Sequence, residues 1–395
     1  MKKNIWLPVV AVLVLFSFLC FVLVRITMAA PQDSDKDSDL LPKNVIFISE
    51  NPEKEVQKGV RVNNITADKW DQISETGAGD VIWVKGKAPL KNESVKQYLQ
   101  KKLQEGIRIY FVNKQLSIEE IFSYFNVSDY PIKTGDGTSP HPEEAKSPLS
   151  TEVLGVQKYD SFYGIFALRF ETPANQIVIK SLAQDSQQDP LAKFRNAAPN
   201  NVSTTSCEDW PIKYVHSVTD RYIAGTVSFA YKLSAHPTNP VNTKYYYCGK
   251  QVLEVTRNSE YTIDYIYPTI SAGSNGKVYD YSPNAATSNN SITVSLPYAV
   301  TRAFSVGNLG SGLSLKTAKY CGGIGDTYTE WQGEALNPAG VHNLCLGVMR
   351  AEPGMEFFID PSQANVRAYS SYTVNWKYYG STTTKSNSFD TWVPK

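Results

Sequence analysis

Cysteine is the residue type with the sharpest chemistry in this chain. Cys207, Cys248, Cys321 and Cys345 all fall in the second half of its 395 residues, and Cys20 sits alone in an apolar run near the start. A thiol pairs with another thiol or, as thiolate, holds a metal. An even number of cysteines in an exported chain reads as a disulfide framework. Of the three possible pairings, Cys207–Cys248 with Cys321–Cys345 closes the shortest loops, and each such bridge stabilises by about 2–4 kcal/mol. The competing use is a metal site. His342-x-x-Cys345 with Cys321 offers three ligands at plausible zinc spacing, yet no fourth ligand accompanies them. An oxidising compartment also removes free thiolates. Disulfides are therefore expected, with no metal and no cofactor.

The other reactive side chains form no recognisable constellation. The four histidines are His141, His216, His236 and His342. None stands in H-E-x-x-H or in a compact ligand cluster. No G-x-S-x-G or G-x-C-x-G elbow follows an apolar run. The first strand-like run ends in ISENPEK, not in a glycine-rich phosphate cradle. Gly307–Gly312 (GNLGSG) lies between β-like runs and opens no helix. Asp264, Glu330, Glu334, Glu356 and Asp360 could serve glycoside hydrolysis, but their separation is not a property of the sequence. The reading leans away from an enzyme, and no catalytic residue is nominated. A net charge of +1 gives no electrostatic case for a nucleic-acid partner.

Aromatic residues carry the remaining signal. Tyrosine is abundant, at 24, and concentrated after residue 207. Flat rings beside polar groups suit carbohydrate or protein contact. Tyr246, within Tyr245-Tyr246-Tyr247, and Trp331, Trp376 and Tyr379 are the candidate binding residues; Trp210 and Trp392 also lie in polar surroundings. The competing reading is that tyrosine favours half-buried sheet surfaces.

The elements that would position these residues begin with an export device. Ile5–Val24 carries no charge, follows Lys2 and Lys3, and precedes Arg25. Its length suits a membrane-spanning helix. Small residues near Ala29 and Ala30 also permit reading residues 1–30 as a cleaved signal peptide. The charge asymmetry keeps the lysines inside and exports the rest, as a single-pass anchored or a secreted protein. Residues 31–43 form a polar tether.

Residues 44–182 read as a small doubly wound, flavodoxin-like α/β domain. Val45–Ile48, Val81–Val84 and Ile107–Val112 are nearly continuous apolar runs, as parallel strands buried on both faces require. Thr66, Asn92 and the capping box Ser117–Glu120 open helices, and Gly106 closes one. A trailing loop and a β-hairpin of Phe162–Phe170 with Ile177–Ile179 complete this domain. The loops after its strands carry Glu50, Asn51, Lys85, Lys87 and Asn113, the place where such sheets bind ligands.

Residues 183–206 read as a linker. Residues 207–395 alternate with period two and predict an antiparallel β-sandwich or an elongated β domain. Examples are Val227, Phe229, Tyr231 and Leu233; Tyr261, Ile263, Tyr265 and Tyr267; and Tyr372, Val374, Trp376 and Tyr378.

These features predict an exported or membrane-anchored bacterial surface protein whose β domain binds an extracellular protein or carbohydrate without catalysis. One alternative is a secreted β-pore-forming cytolysin. Tyr279–Val300 is rich in Ser, Thr and Asn with an alternating second arm. Ser371–Gly380 (SYTVNWKYYG) resembles leukocidin-type toxins over those ten residues, which would imply a membrane-inserting hairpin. The other alternative is an extracellular hydrolase of unrecognised site geometry.

Overall fold

The structure is a computed structural model and describes residues 44–50, 62–75, 80–112, 116–128, 132–135, 149–189, 191–195, 210–282, 287–289, 314–336 and 348–395. Ile5–Val24, the tether, Cys207, Cys345, His141, His342 and the Gly307–Gly312 run lie outside these. So does Tyr279–Val300 beyond residue 282, apart from 287–289. Among the described residues no helix is long and apolar enough to cross a membrane.

The first strands are β1 (Val45–Ser49), β2 (Val62–Ile65), β3 (Val81–Lys85) and β4 (Arg108–Val112). All are parallel, in the order β4-β3-β1-β2. The connections hold a 3-10 helix (Ala67–Glu75), α1 (Lys87–Lys91) and α2 (Glu93–Gln104), and α3 (Ile118–Tyr124) follows β4. The Asn92 side chain accepts from the Val95 amide at 3.1 Å. Ser117 and Glu120 form the expected reciprocal box, at 2.6 and 3.1 Å. Gly106, at φ +80°, ends α2 in the left-handed conformation that glycine adopts without strain.

Both faces of these strands are covered, which accounts for their uninterrupted apolar runs. Ile46, Ile48, Ile82, Val84, Ile109 and Phe111 lie in one core with Val95, Leu99 and Leu103 of α2 and Ile121 and Phe122 of α3. Val45, Phe47, Val81, Trp83 and Tyr110 face the other way. There they meet Val178, Ile179, Leu182 and Ala183 of α4 (Asn175–Ser186).

That helix corrects one expectation. Ile177-Val178-Ile179 is not the second arm of a hairpin. Its branched triplet imitates a strand, but residues 178, 179, 182 and 183 repeat at helical spacing, and burying that stripe decides the conformation. The true hairpin is β6 (Ser150–Lys158) with β7 (Tyr163–Phe170).

β5 (Lys133–Thr134) and α5 (Ala192–Arg195) are short. The strands after residue 207 are β8 (Ile212–Arg221), β9 (Gly225–Ala235), β10 (Tyr245–Arg257), β11 (Thr262–Ser271), β12 (Gly276–Ser282), β13 (Thr287–Asn289), β14 (Ser314–Gly322), β15 (Tyr328–Leu336), β16 (Val348–Ala351), β17 (Gly354–Ile359), β18 (Asn365–Tyr378) and β19 (Ser381–Pro394).

They form no separate sheet system. One twelve-stranded sheet runs β12-β17-β10-β9-β8-β7-β6-β4-β3-β1-β2, with β16 also on β10. The structure therefore does not set residues 44–182 apart as a flavodoxin-like domain. β6 takes the free edge of β4 antiparallel, and β7 pairs with β8 in parallel from Tyr163↔Tyr214 to Phe170↔Arg221. The α/β part is one end of a large mixed sheet. A second, seven-stranded sheet runs β13-β14-β15-β11-β18-β19-β5, and the two share one core.

Alternation holds along β9, where Val227, Phe229, Tyr231 and Leu233 are all buried. Along β11 it fails. A register shift between Ile263 and Tyr265 inserts an extra residue and moves the inward row to Ile263, Ile266 and Ile270. Tyr265 and Tyr267 are left half-buried.

Candidate functional site

Two kinds of site meet the eye: a sealed polar seam between the sheets, and rings standing on the outside. The seam begins with Arg169 of β7. Its Nε and Nη2 donate to the two Asp220 carboxylate oxygens at 2.6 and 2.7 Å, and its Nη1 donates to the Ser388 carbonyl at 2.8 Å. The Tyr372 hydroxyl also donates to Asp220, and Tyr222 and Tyr372 share a hydrogen bond of 2.7 Å. Burial opposes the Arg169 charge, but the Asp220 carboxylate outweighs it and the guanidinium is held above its ordinary pKa. Burial, with the Asp220 charge, pushes the Tyr372 phenol well up.

His216 lies in the same seam. Its Nε2 is 2.6 Å from Ser370 Oγ, and its ring stacks on Tyr231 at 5.3 Å between centroids. Burial, and then the Arg169 charge, hold it well below the ordinary histidine pKa. A serine beside a histidine is the start of a nucleophile pair. Here Nδ1 has no partner among the described residues, Asp220 is committed to Arg169, and His216 and Ser370 are completely buried. Among the described residues the pair therefore lacks the orienting acid and the opening that a triad needs.

Two of the scattered carboxylates are engaged within the fold. Asp264 meets Lys377 at 3.0 Å, and Glu330 accepts from Thr269 Oγ1 at 3.1 Å. No cluster of possible metal ligands occurs among the described residues. At the carboxyl ends of the parallel strands, Glu50 accepts from the Ala88 amide at 3.2 Å and so occupies the start of α1 itself. Asn51 and Asn113 lie outside the described residues.

The four aromatic candidates divide. Trp331 and Trp376 are wholly buried core residues. The alternation that set Trp376 beside Tyr372 and Val374 already put it on the inward row. Tyr379 is 89% exposed at the β18–β19 turn. It has φ 43° and is followed by Gly380 at φ +85°, a two-residue hairpin turn in which Asn-Gly is conformationally cheaper. Its ring packs edge-on to Tyr378 at 4.6 Å, and Tyr378 lies 5.1 Å from Tyr261.

Tyr246 belongs to a wider group. It is half-buried at the start of β10, where Phe358 of β17 is its register partner. Ring centroids are 5.8 Å apart for Tyr246–Phe358 and 5.7 Å for Tyr246–Tyr279. Tyr279, 55% exposed, stands in a bulge of β12 between Val278 and Asp280, and a bulge re-aims a side chain. Three adjacent strands thus present three rings on one outer surface.

The support is stiff. The Asn239 side chain donates to the Tyr246 carbonyl and accepts from its amide, both at 2.8 Å. Next to it, Asn242 and Thr243 turn the chain with φ 46° and 66°. Positive φ at a branched residue costs on the order of 1–3 kcal/mol. This turn delivers Lys244, whose Nζ lies 3.8 Å from the Phe358 ring centre. Lys277 is the Cα partner of Phe358 on its other side and is exposed. Sequence reading found Tyr246 but missed Tyr279, Phe358, Lys244 and Lys277, because strand adjacency brings them together. The Tyr245–Tyr247 run was the one local cue. Cys248, two residues on, is buried and disulfide-bonded; the side chains of Cys207, Cys321 and Cys345 lie outside the described residues.

No protein-family profile matches the chain, and no curated protein matches it. Solved structures with weak likeness include a pore-forming protein, at 10% identity over 45% of this chain and 86% of that chain, TM-score 0.23. The Clostridium perfringens NetB toxin in its membrane-inserted form follows at 8% identity over 45% and 94%, TM-score 0.22. The collagen-binding domain from a Staphylococcus aureus adhesin shows 10% identity over 40% and 95%, TM-score 0.20. At these values the likenesses carry no argument about this chain.

Proposed function

We propose that this chain is a non-catalytic binding protein that works outside the cytoplasm, and that the Tyr246–Phe358–Tyr279 strip takes an extracellular protein or a glycan. Ile5–Val24 exports it, either staying as a single-pass anchor or being cleaved near Ala29 or Ala30. Cys207–Cys248 and Cys321–Cys345 are its disulfides. One observation carries the reading: three rings from three hydrogen-bonded strands share a solvent-facing surface on a backbone clamped by Asn239. Rigid aromatic area with polar neighbours is the usual anchor of protein and sugar recognition.

The test is retention of the full-length protein on immobilised polysaccharides and extracellular-matrix proteins. At least one matrix is expected to hold it, with Tyr279→Ala weakening retention about tenfold. Undiminished retention of that variant refutes the strip as the site. Dye release from liposomes by the wild-type protein would instead favour the pore-forming alternative.

A further inference from the structure

The geometry points to an acidic polysaccharide, one bearing uronate or sulfate groups, as the occupant of this strip; the inference rests on the strip being the binding site and adds the ligand's chemical class. The rings alone would serve a neutral sugar equally well. The charges beside them would not. Lys244 reaches over Phe358 at 3.8 Å from a turn held at two positive φ angles. Lys277 flanks the same ring across the β12–β17 pair. Among the described residues neither lysine is in a salt bridge. Two cations therefore bracket one ring with Tyr246 and Tyr279 alongside, and the exposed carboxylate of Asp280 follows Tyr279 in β12. A polymer that stacks a sugar ring on Tyr246 or Tyr279 would bring its acidic groups against the two ammonium groups around Phe358. A double-stranded nucleic acid fits poorly, since its bases are paired inside and offer no free face to a Tyr279 ring.

The inference is tested by titrating the full-length protein with polygalacturonate and with the same polymer after reduction of its carboxyls to alcohols. Dextran serves as a neutral control. Tight binding of polygalacturonate that weakens with added salt and falls about tenfold on carboxyl reduction is expected. Lys277→Gln should cost about three- to fivefold and Tyr279→Ala about tenfold, while Lys180→Gln on the exposed side of α4 changes nothing. Equal binding of the reduced polymer, still lost in Tyr279→Ala, overturns the acidic class and leaves the binding function standing. No binding of any polymer, with matrix-protein capture lost in Tyr279→Ala, likewise overturns it. No binding of any kind overturns both.

Discussion

His216 makes the protein acid-labile in a way that one substitution isolates. Its ring is fully buried, bonds Ser370 through Nε2, leaves Nδ1 unpartnered among the described residues, and lies near the Arg169 guanidinium. Asp220, the carboxylate in this part of the seam, is occupied by that same guanidinium. The native state therefore holds His216 neutral, with a pKa well below that of the unfolded chain. Below the unfolded value of about 6.5 the unfolded state gains a proton and the native state does not. Stability is complete above that pH and declines by about 1.4 kcal/mol per pH unit as the solution is acidified, until the folded pKa is reached.

The measurement is urea unfolding of wild type and His216→Gln between pH 7.5 and 4.5. Glutamine retains a polar end for Ser370 but cannot titrate. Carboxylates that also titrate are common to both proteins and cancel in the difference. The wild type should lose its advantage with the stated slope below pH 6.5. A difference that stays flat with pH refutes the reasoning.

Three further outcomes follow from the same structure. Asp220→Asn strands Arg169 as a buried charge and should cost about 3–5 kcal/mol in urea unfolding, whereas the apolar double replacement Arg169→Met with Asp220→Leu should cost much less. Tyr379→Asn relieves a left-handed tyrosine and should stabilise by about 1 kcal/mol in thermal unfolding, with binding at the Tyr246 strip unchanged. Peptide mapping without reduction should link Cys248 to Cys207, and Cys207→Ser should lower stability by about 2–4 kcal/mol.

The α/β part was legible wherever the signal is local. Asn92, Gly106 and the Ser117–Glu120 box act within a few residues of themselves, and they stand where expected. β2 was not legible. Its Asn63 and Asn64 are exposed on an edge strand, so no apolar run marks it. The union of the two halves was hidden for another reason: the β7–β8 pairing joins residues about fifty apart, and nothing in either strand names its partner. Trp331 shows the same limit. Its neighbours Glu330 and Gln332 look like surface, yet strand alternation turns it into the core. The binding strip depends on register across β10, β17 and β12 together, which no single stretch encodes.

The Ser388 carbonyl that receives Arg169 comes 219 residues later in the chain. It belongs to β19, which also pairs with β18 and with β5 near residue 133. Synthesis proceeds from the amino end, so everything up to β18 exists before β19 arrives. Until then the edge of β18 is unpaired and the guanidinium lacks one of its acceptors. An open edge and a half-satisfied charge are poor foundations for a closed molecule. This part of the second sheet closes only once β19 is delivered. That delay makes the waiting chain the form most exposed to aggregation and proteolysis.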